Sequence, residues 1–358
     1  MKKRAATTGP SRVGRLLLGA ASFAAALVAP AAVAGAATGY TVKDLGTLGG
    51  SYSLGAAINN GGTAVGSSES ATGVVRGFVF SHDVLSDVGT LAGGRYAFAT
   101  AINELGQITG TSETSIPLGS GFEQHAFLYD HGRMTDLGTL GGVASFGAGI
   151  NDQGDVVGNS LLPGTGSGHE HAFLYRNGRM HDLGTLGASS SSATGINDRG
   201  HIVGDSALED FGFAHGFFYQ DGVMRDLGTL PGGNGSHAAA INSRDHVTGA
   251  ADAPDGYAHP FLYRDGSMQD LGVPAGYLQG GGFALNDSDE VVGEADAGSE
   301  TSTTAFIWSN GVWRDLNSLI PPNSGWFLSV AAGINAGGQI VGTGWLDGKQ
   351  RAFILTPR

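Results

Sequence analysis

The chain has 358 residues, with 19 Lys and Arg against 32 Asp and Glu, a formal net charge of −13 and no cysteine. The acidic balance sets it against nucleic acid and anionic lipid headgroups. The missing cysteines exclude a disulfide framework and a lipid-modified N-terminal Cys, so the fold has to hold by burial alone.

At the N-terminus, Lys2, Lys3, Arg4, Arg12 and Arg15 precede an apolar stretch at 16–28 and a small-residue site at 32–34. This order is that of a secretory signal over residues 1–36, and a secreted, extracellular protein is expected. The alternative, a retained anchor, is disfavoured by the Ala and Gly that interrupt the stretch. Removing those five basic residues takes the balance to −18. No second apolar run follows, so no membrane span is expected in the mature chain.

From Tyr40 onward one unit of about 45 residues recurs seven times. An Asn ends an apolar run at Asn59, Asn103, Asn151, Asn197, Asn242, Asn286 and Asn335. Seven residues later a Gly ends the next run, at Gly66, Gly110, Gly158, Gly204, Gly249, Gly293 and Gly342. A Phe follows at Phe78, Phe127, Phe173, Phe217, Phe261, Phe306 and Phe353, and nine residues after each of the first six stands an Asp, from Asp87 to Asp315. The Gly-to-Phe spacing varies from 11 to 17 and the Asp-to-Asn spacing from 15 to 20.

Each unit supplies four strands, A ending in the Asn, B of the DVVG type, C of the HAFLY type and D of the RMTDLG type. The A-to-B link starts with Asn and usually carries Gly, and the C-to-D link carries Asn177-Gly178, Asp221-Gly222, Asp265-Gly266 and Asn310-Gly311. Both are tight-hairpin signals, so they share one rim, and the variable B-to-C and D-to-A connections share the other. The last unit lacks a strand D, while YTVKDLGTL at 40–48 is a strand D without a unit. One end completes the other. The expected fold is therefore all-β, a single seven-bladed β-propeller of four-stranded blades over residues 40–358, with a β-solenoid as the alternative.

The HAF triplets at 125–127 and 171–173, DLGTLGG at 136–142 and the I-N-x-x-G turns resemble the HAF-repeat family of predicted bacterial extracellular proteins. The resemblance covers residues 40–353 and implies export and a repeat fold, with no activity attached. Arg76, Thr304 and Arg351 stand where other units have His, which speaks against obligatory catalysis at that position.

Among candidate sites, the recurring Asp residues, lying three strands out from the axis, cannot converge on one ion, and a structural role is expected. INDQGD at 150–155 is read as a turn, because its ligand positions are not kept across the units. His169 and His171 point to one side of an extended segment, but no third metal ligand accompanies them. Trp308 and Trp313 are expected in the core. Trp326 and Trp345 fall in variable-rim connections beside Asp347, where aromatic platforms flanked by acids hold sugars. The same rim gathers many acids, Glu123 among them. No motif assigns a catalytic residue, and no metal or cofactor is expected.

The reading from sequence is a secreted, non-enzymatic binding or scaffolding module, expected to be monomeric. Its ligand, an extracellular polysaccharide or envelope protein, would sit on the variable rim at Trp326, Trp345, Asp347, Glu123, His169 and His171. The alternative is an extracellular carbohydrate-active hydrolase or lyase using rim carboxylates.

Overall fold

The structure, a computed structural model, describes residues 39–164, 169–209, 212–298 and 303–358. The segment 1–36, expected as a secretory signal, and the acids Asp210 and Glu300 lie outside the described residues. Seven four-stranded antiparallel sheets follow one another as the blades of a propeller. Blades 1 to 6 occupy 49–87, 97–136, 145–182, 191–226, 236–270 and 279–315. Blade 7 is built from Trp326–Ile334, Ile340–Leu346 and Lys349–Pro357, and its outer strand is Tyr40–Asp44, paired antiparallel from Tyr40↔Pro357 to Asp44↔Phe353. The complementary chain ends therefore close the ring. Among the described residues, no helix is long and apolar enough to cross a membrane.

The fixed spacings have local causes. In the C-to-D links, Asn177 and Gly178 have φ of 53° and 77°, and Asp265 and Gly266 have 53° and 75°. Both central residues are left-handed, as a two-residue hairpin matched to strand twist demands. Blade 1 makes the same turn with His82 and Asp83, at φ of 50° and 66°, without a Gly. The landmark Gly answers a different need. Every strand A carries a bulge just before its Asn, for example between Gly147 and Gly149, and the bulge pushes a carbonyl toward strand B. A Cβ on Gly158 would lie 1.8 Å from the Phe146 oxygen. The same clash, at 1.8–2.0 Å, recurs at all seven landmark Gly residues. The seven landmark Phe side chains fill the space between blades and are fully buried.

The landmark Asn does more than start a turn. Its Oδ1 accepts from the backbone N–H four residues on, as Asn59 does from Thr63 at 3.0 Å. Its Nδ2 donates to the backbone oxygen of the Asn in the next blade. These bonds run Asn59 to Asn103 (3.1 Å), to Asn151 (2.8 Å), to Asn197 (3.2 Å), to Asn242 (3.0 Å), to Asn286 (3.1 Å), to Asn335 (3.3 Å) and back to Asn59 (3.0 Å). A closed circle of seven hydrogen bonds rivets the innermost strands together at the fixed rim.

The Asp residues have the structural role expected of them. Each accepts from the backbone N–H two residues on, as in Asp44 with Gly46 at 2.8 Å and Asp270 with Gly272 at 2.6 Å. Four of them also hold the His that precedes the Phe, Nδ1 to Oδ1, at 2.8–3.0 Å: His125–Asp136, His171–Asp182, His215–Asp226 and His259–Asp270.

Candidate active site

The residues singled out on the variable rim do not form one site. Trp326 and Trp345 sit in neighbouring strands, but Trp326 pairs with Leu346 and Phe327 with Trp345. Consecutive cross-strand pairs face opposite sides of a sheet, so the two indoles lie on opposite faces of blade 7 and do not form one platform. Trp326 is half-buried and meets Phe353 edge-on, with ring centroids 5.8 Å apart. Asp347 is the first residue of a tight turn, at φ 49°. Trp308 is in the core, and Trp313 packs on Phe306 while its indole N–H donates to the Leu271 oxygen at 2.8 Å.

Glu123 belongs to blade 2 and lies 3.3 Å from His125 Nε2, on the long hairpin formed by Ile108–Leu118 and Gly121–Asp130. In blade 3, His169 is exposed, whereas His171 is held by Asp182. The turn reading of 150–155 is supported by Asp155, whose Oδ2 takes two bonds from the Arg176 guanidinium at 2.9 and 2.7 Å. Among the described residues, no group of three His, Asp or Glu side chains is arranged to hold a metal ion. Other rim acids brace loops. Glu69 accepts from the Ser51 N–H at 2.6 Å, and Glu113 is buried against Arg95 at 2.6 Å, a bond that holds its carboxyl below the usual range.

A different layer has the look of a reaction centre. Above each bulge, toward the variable rim, the residue five before the landmark Asn pairs across the sheet with the residue after the landmark Gly. Around the ring these pairs are Leu54–Ser67, Phe98–Thr111, Phe146–Asn159, Ser192–Asp205, His237–Ala250, Gly281–Glu294 and Val330–Thr343. One member of each pair lies on the innermost strand. Flanked by repeat-wide invariants, this layer changes chemistry from blade to blade. Blades 2 and 3 present Phe98 and Phe146, 39% and 36% exposed although they stand on innermost strands. Blades 4 to 6 present titratable groups.

His237 Nδ1 lies 2.7 Å from Asp205 Oδ1, joining blades 5 and 4. Burial opposes a charge on this imidazole, but the Asp205 carboxylate outweighs it and raises the pKa above its ordinary value. The carboxylate fixes the ring by one nitrogen and leaves Nε2 for proton exchange, as in catalytic Asp–His pairs. Of the His–Asp contacts in the described fold, this one belongs to the axial layer. Glu294 is 7% exposed, and no hydrogen bond holds its carboxyl in the described structure. Burial, with Asp296 adding to it, pushes the pKa up to about 7. Carboxyls whose pKa burial has raised in this way cluster at functional sites.

The sequence carried a signal for this layer, since both positions stand at fixed offsets from the landmarks. Reading the offsets down the seven units would have isolated Asp205, His237 and Glu294. The search for acids in the variable loops passed over them because they stand inside strands.

No protein-family model and no curated protein matches the sequence. Solved structures match in fold. The β-propeller domain of the Trilobed protease from Pyrococcus furiosus aligns with a TM-score of 0.51 and 12% identity, over 72% of this chain and 82% of that one. That propeller is described as having an open velcro topology, whereas here Tyr40–Asp44 closes blade 7. A Mycobacterium tuberculosis peptidase that hydrolyses puromycin aligns with a TM-score of 0.50 and 13% identity, over 81% of this chain and 49% of that one, so this chain spans about half its length. At such identities the likeness is one of fold. The expectation of a non-enzymatic binding or scaffolding module is nevertheless corrected, because the similar propellers are those of a protease and a peptidase.

Proposed function

We propose that the protein is a hydrolase whose reaction centre is the axial mouth on the variable rim, working by general acid–base catalysis. The observation that carries this reading is Glu294, a buried carboxyl with no hydrogen-bond partner among the described residues, set one blade from the Asp205–His237 pair. His237, in its neutral form, takes a proton from water through Nε2, and Asp205 holds it in place and steadies the imidazolium that forms. The hydroxide adds to the scissile centre, and protonated Glu294 gives its proton to the leaving group as the bond breaks. The names of the two aligned proteins, a protease and a peptidase, accord with hydrolysis. The leader-like first 36 residues and the resemblance to HAF-repeat proteins support placing the activity outside the cell.

The test is turnover of a panel of esters, amides and glycosides by the purified chain and by Glu294→Gln and His237→Ala. Each variant is expected to lose about 10²- to 10⁴-fold in rate. Hydrolysis that survives both substitutions would place the chemistry elsewhere.

A further inference from the structure

The axial layer divides into two arcs. From blade 7 through blade 1 to blade 3 its innermost members are Val330, Leu54, Phe98 and Phe146, each paired across the sheet with a Ser, Thr or Asn. The four innermost strands that carry them, Trp326–Ile334, Gly49–Ile58, Ala97–Ile102 and Ser145–Ile150, contain no Asp, Glu, Lys, Arg or His. Of the strands paired to these four, two bring an acid, and each acid is answered: Glu69 by the Ser51 N–H at 2.6 Å and Glu113 by Arg95. The corresponding strands of blades 4 to 6 bring Asp205, His237, Asp252, Glu294 and Asp296. One arc of the mouth is apolar and uncharged, and the other holds the ionisable groups.

Within the uncharged arc two aromatic rings stand open. Phe98 and Phe146 occupy the same level of adjacent innermost strands and are exposed, whereas the seven landmark Phe side chains are fully buried. Tyr96 meets Phe98 edge-on, with ring centroids 5.8 Å apart, and braces it. Open apolar surface on an uncharged wall gains by being covered with an apolar group, and two rings side by side favour a flat one. In blade 6 the space is already filled. Phe283, the bulge residue of its innermost strand, stands where the other units have Ala or Thr, and its ring comes within 3.2 Å of where a Cβ on Gly281 would be. The bulk of a ligand is thereby turned toward blades 2 and 3.

We propose that the substrate is an ester or amide whose acyl group is aromatic and uncharged, the ring lying against Phe98 and Phe146; this rests on the hydrolytic reading above. Glu294 serves the leaving group in blade 6. In a ring of seven, blades 2 and 3 are each three blades from blade 6, so the part of the substrate that reaches them is the part that stays behind, the acyl group. Water adds to the carbonyl carbon as His237 takes its proton, the bond from that carbon to the leaving oxygen or nitrogen breaks, and the leaving atom takes the proton of Glu294. The carboxylic acid and an alcohol or amine depart, the imidazolium gives its proton to solvent, and Glu294 takes one back. A charge on the acyl group would lose its water against innermost strands that hold nothing to answer it.

The experiment uses the full chain with methyl phenylacetate, methyl acetate, monomethyl succinate and glycine methyl ester, and with the neutral dye N-phenyl-1-naphthylamine, whose fluorescence reports binding without turnover. Methyl phenylacetate is expected to exceed each of the other esters at least about tenfold in kcat/KM, chiefly through KM. Phe98→Ala and Phe146→Ala each shrink that ratio and weaken the dye about tenfold. Phe146→Lys, which places a cation in the uncharged arc, shifts the preference toward monomethyl succinate, a gain that a misfolded chain cannot show. Equal kcat/KM for the phenylacetyl and acetyl esters in the wild type, or a ratio that survives both Ala substitutions, overturns the assignment and leaves the hydrolytic reading standing. Dye binding with no turnover of any ester or amide overturns the hydrolytic reading and, with it, the acyl-group assignment.

Discussion

Asn59 shows how one residue can carry both a turn and a ring closure, since its Oδ1 serves Thr63 and its Nδ2 serves Asn103. Asn59→Asp keeps the acceptor, loses the donor and sets a buried carboxylate against a carbonyl. It should destabilise by about 2–4 kcal/mol, no less than Asn59→Ala, by urea denaturation. A smaller loss for Asp than for Ala would mean that the turn, not the ring, is what the Asn supplies. His125 gives a pH-dependent test. The hydrogen bond it donates to the Asp136 carboxylate raises its pKa despite burial, so its contribution is complete below the ordinary value near 6.5 and lost as pH rises through the higher folded value. Asp136, although burial opposes it, is held below its ordinary value by His125 and the Gly138 N–H, so its contribution is complete above about 3.8 and lost as pH falls through the depressed value. His125→Gln should therefore cost more stability at about pH 5 than at about pH 9. An equal cost at both would show that the pair adds packing alone.

At the scale of the strand, the bulge decides which side chains reach the axis. It turns the strand between the Asn ring and the variable layer, and the landmark Gly makes room for its displaced carbonyl. Gly158→Ala, with its Cβ 1.8 Å from the Phe146 oxygen, should cost about 1–3 kcal/mol or more in denaturant. A neutral effect would mean the bulge relaxes freely. Strand boundaries, tight turns and the grouping of loops on one rim were legible because Asn-Gly and Asp-Gly turns and the alternation of antiparallel strands leave few alternatives. The bulge itself was not legible. Its mark is a Gly that looks like any strand Gly until the partner strand is in register. The pairing of Trp326 with Leu346 was hidden for the same reason, since it depends on where the turn at Asp347 falls.

For the whole molecule, closure was written in the chain ends, and the lack of an orphan strand D in blade 7 follows from it. The site was less legible. Ring position is a property of the assembled propeller, in which Glu294, Asp205 and His237 are brought into one layer from strands up to 89 positions apart in number, while the loop acids that drew attention are spent on Ser51, Arg95 and His125. The measurement that tests the account most directly is the pH dependence of kcat/KM for a substrate of the panel, in wild type and Glu294→Gln. General acid catalysis by Glu294 predicts a fall in activity as pH rises through about 7, absent from the crippled Gln variant. A wild-type profile flat across that range, or the same fall in Glu294→Gln, would contradict it.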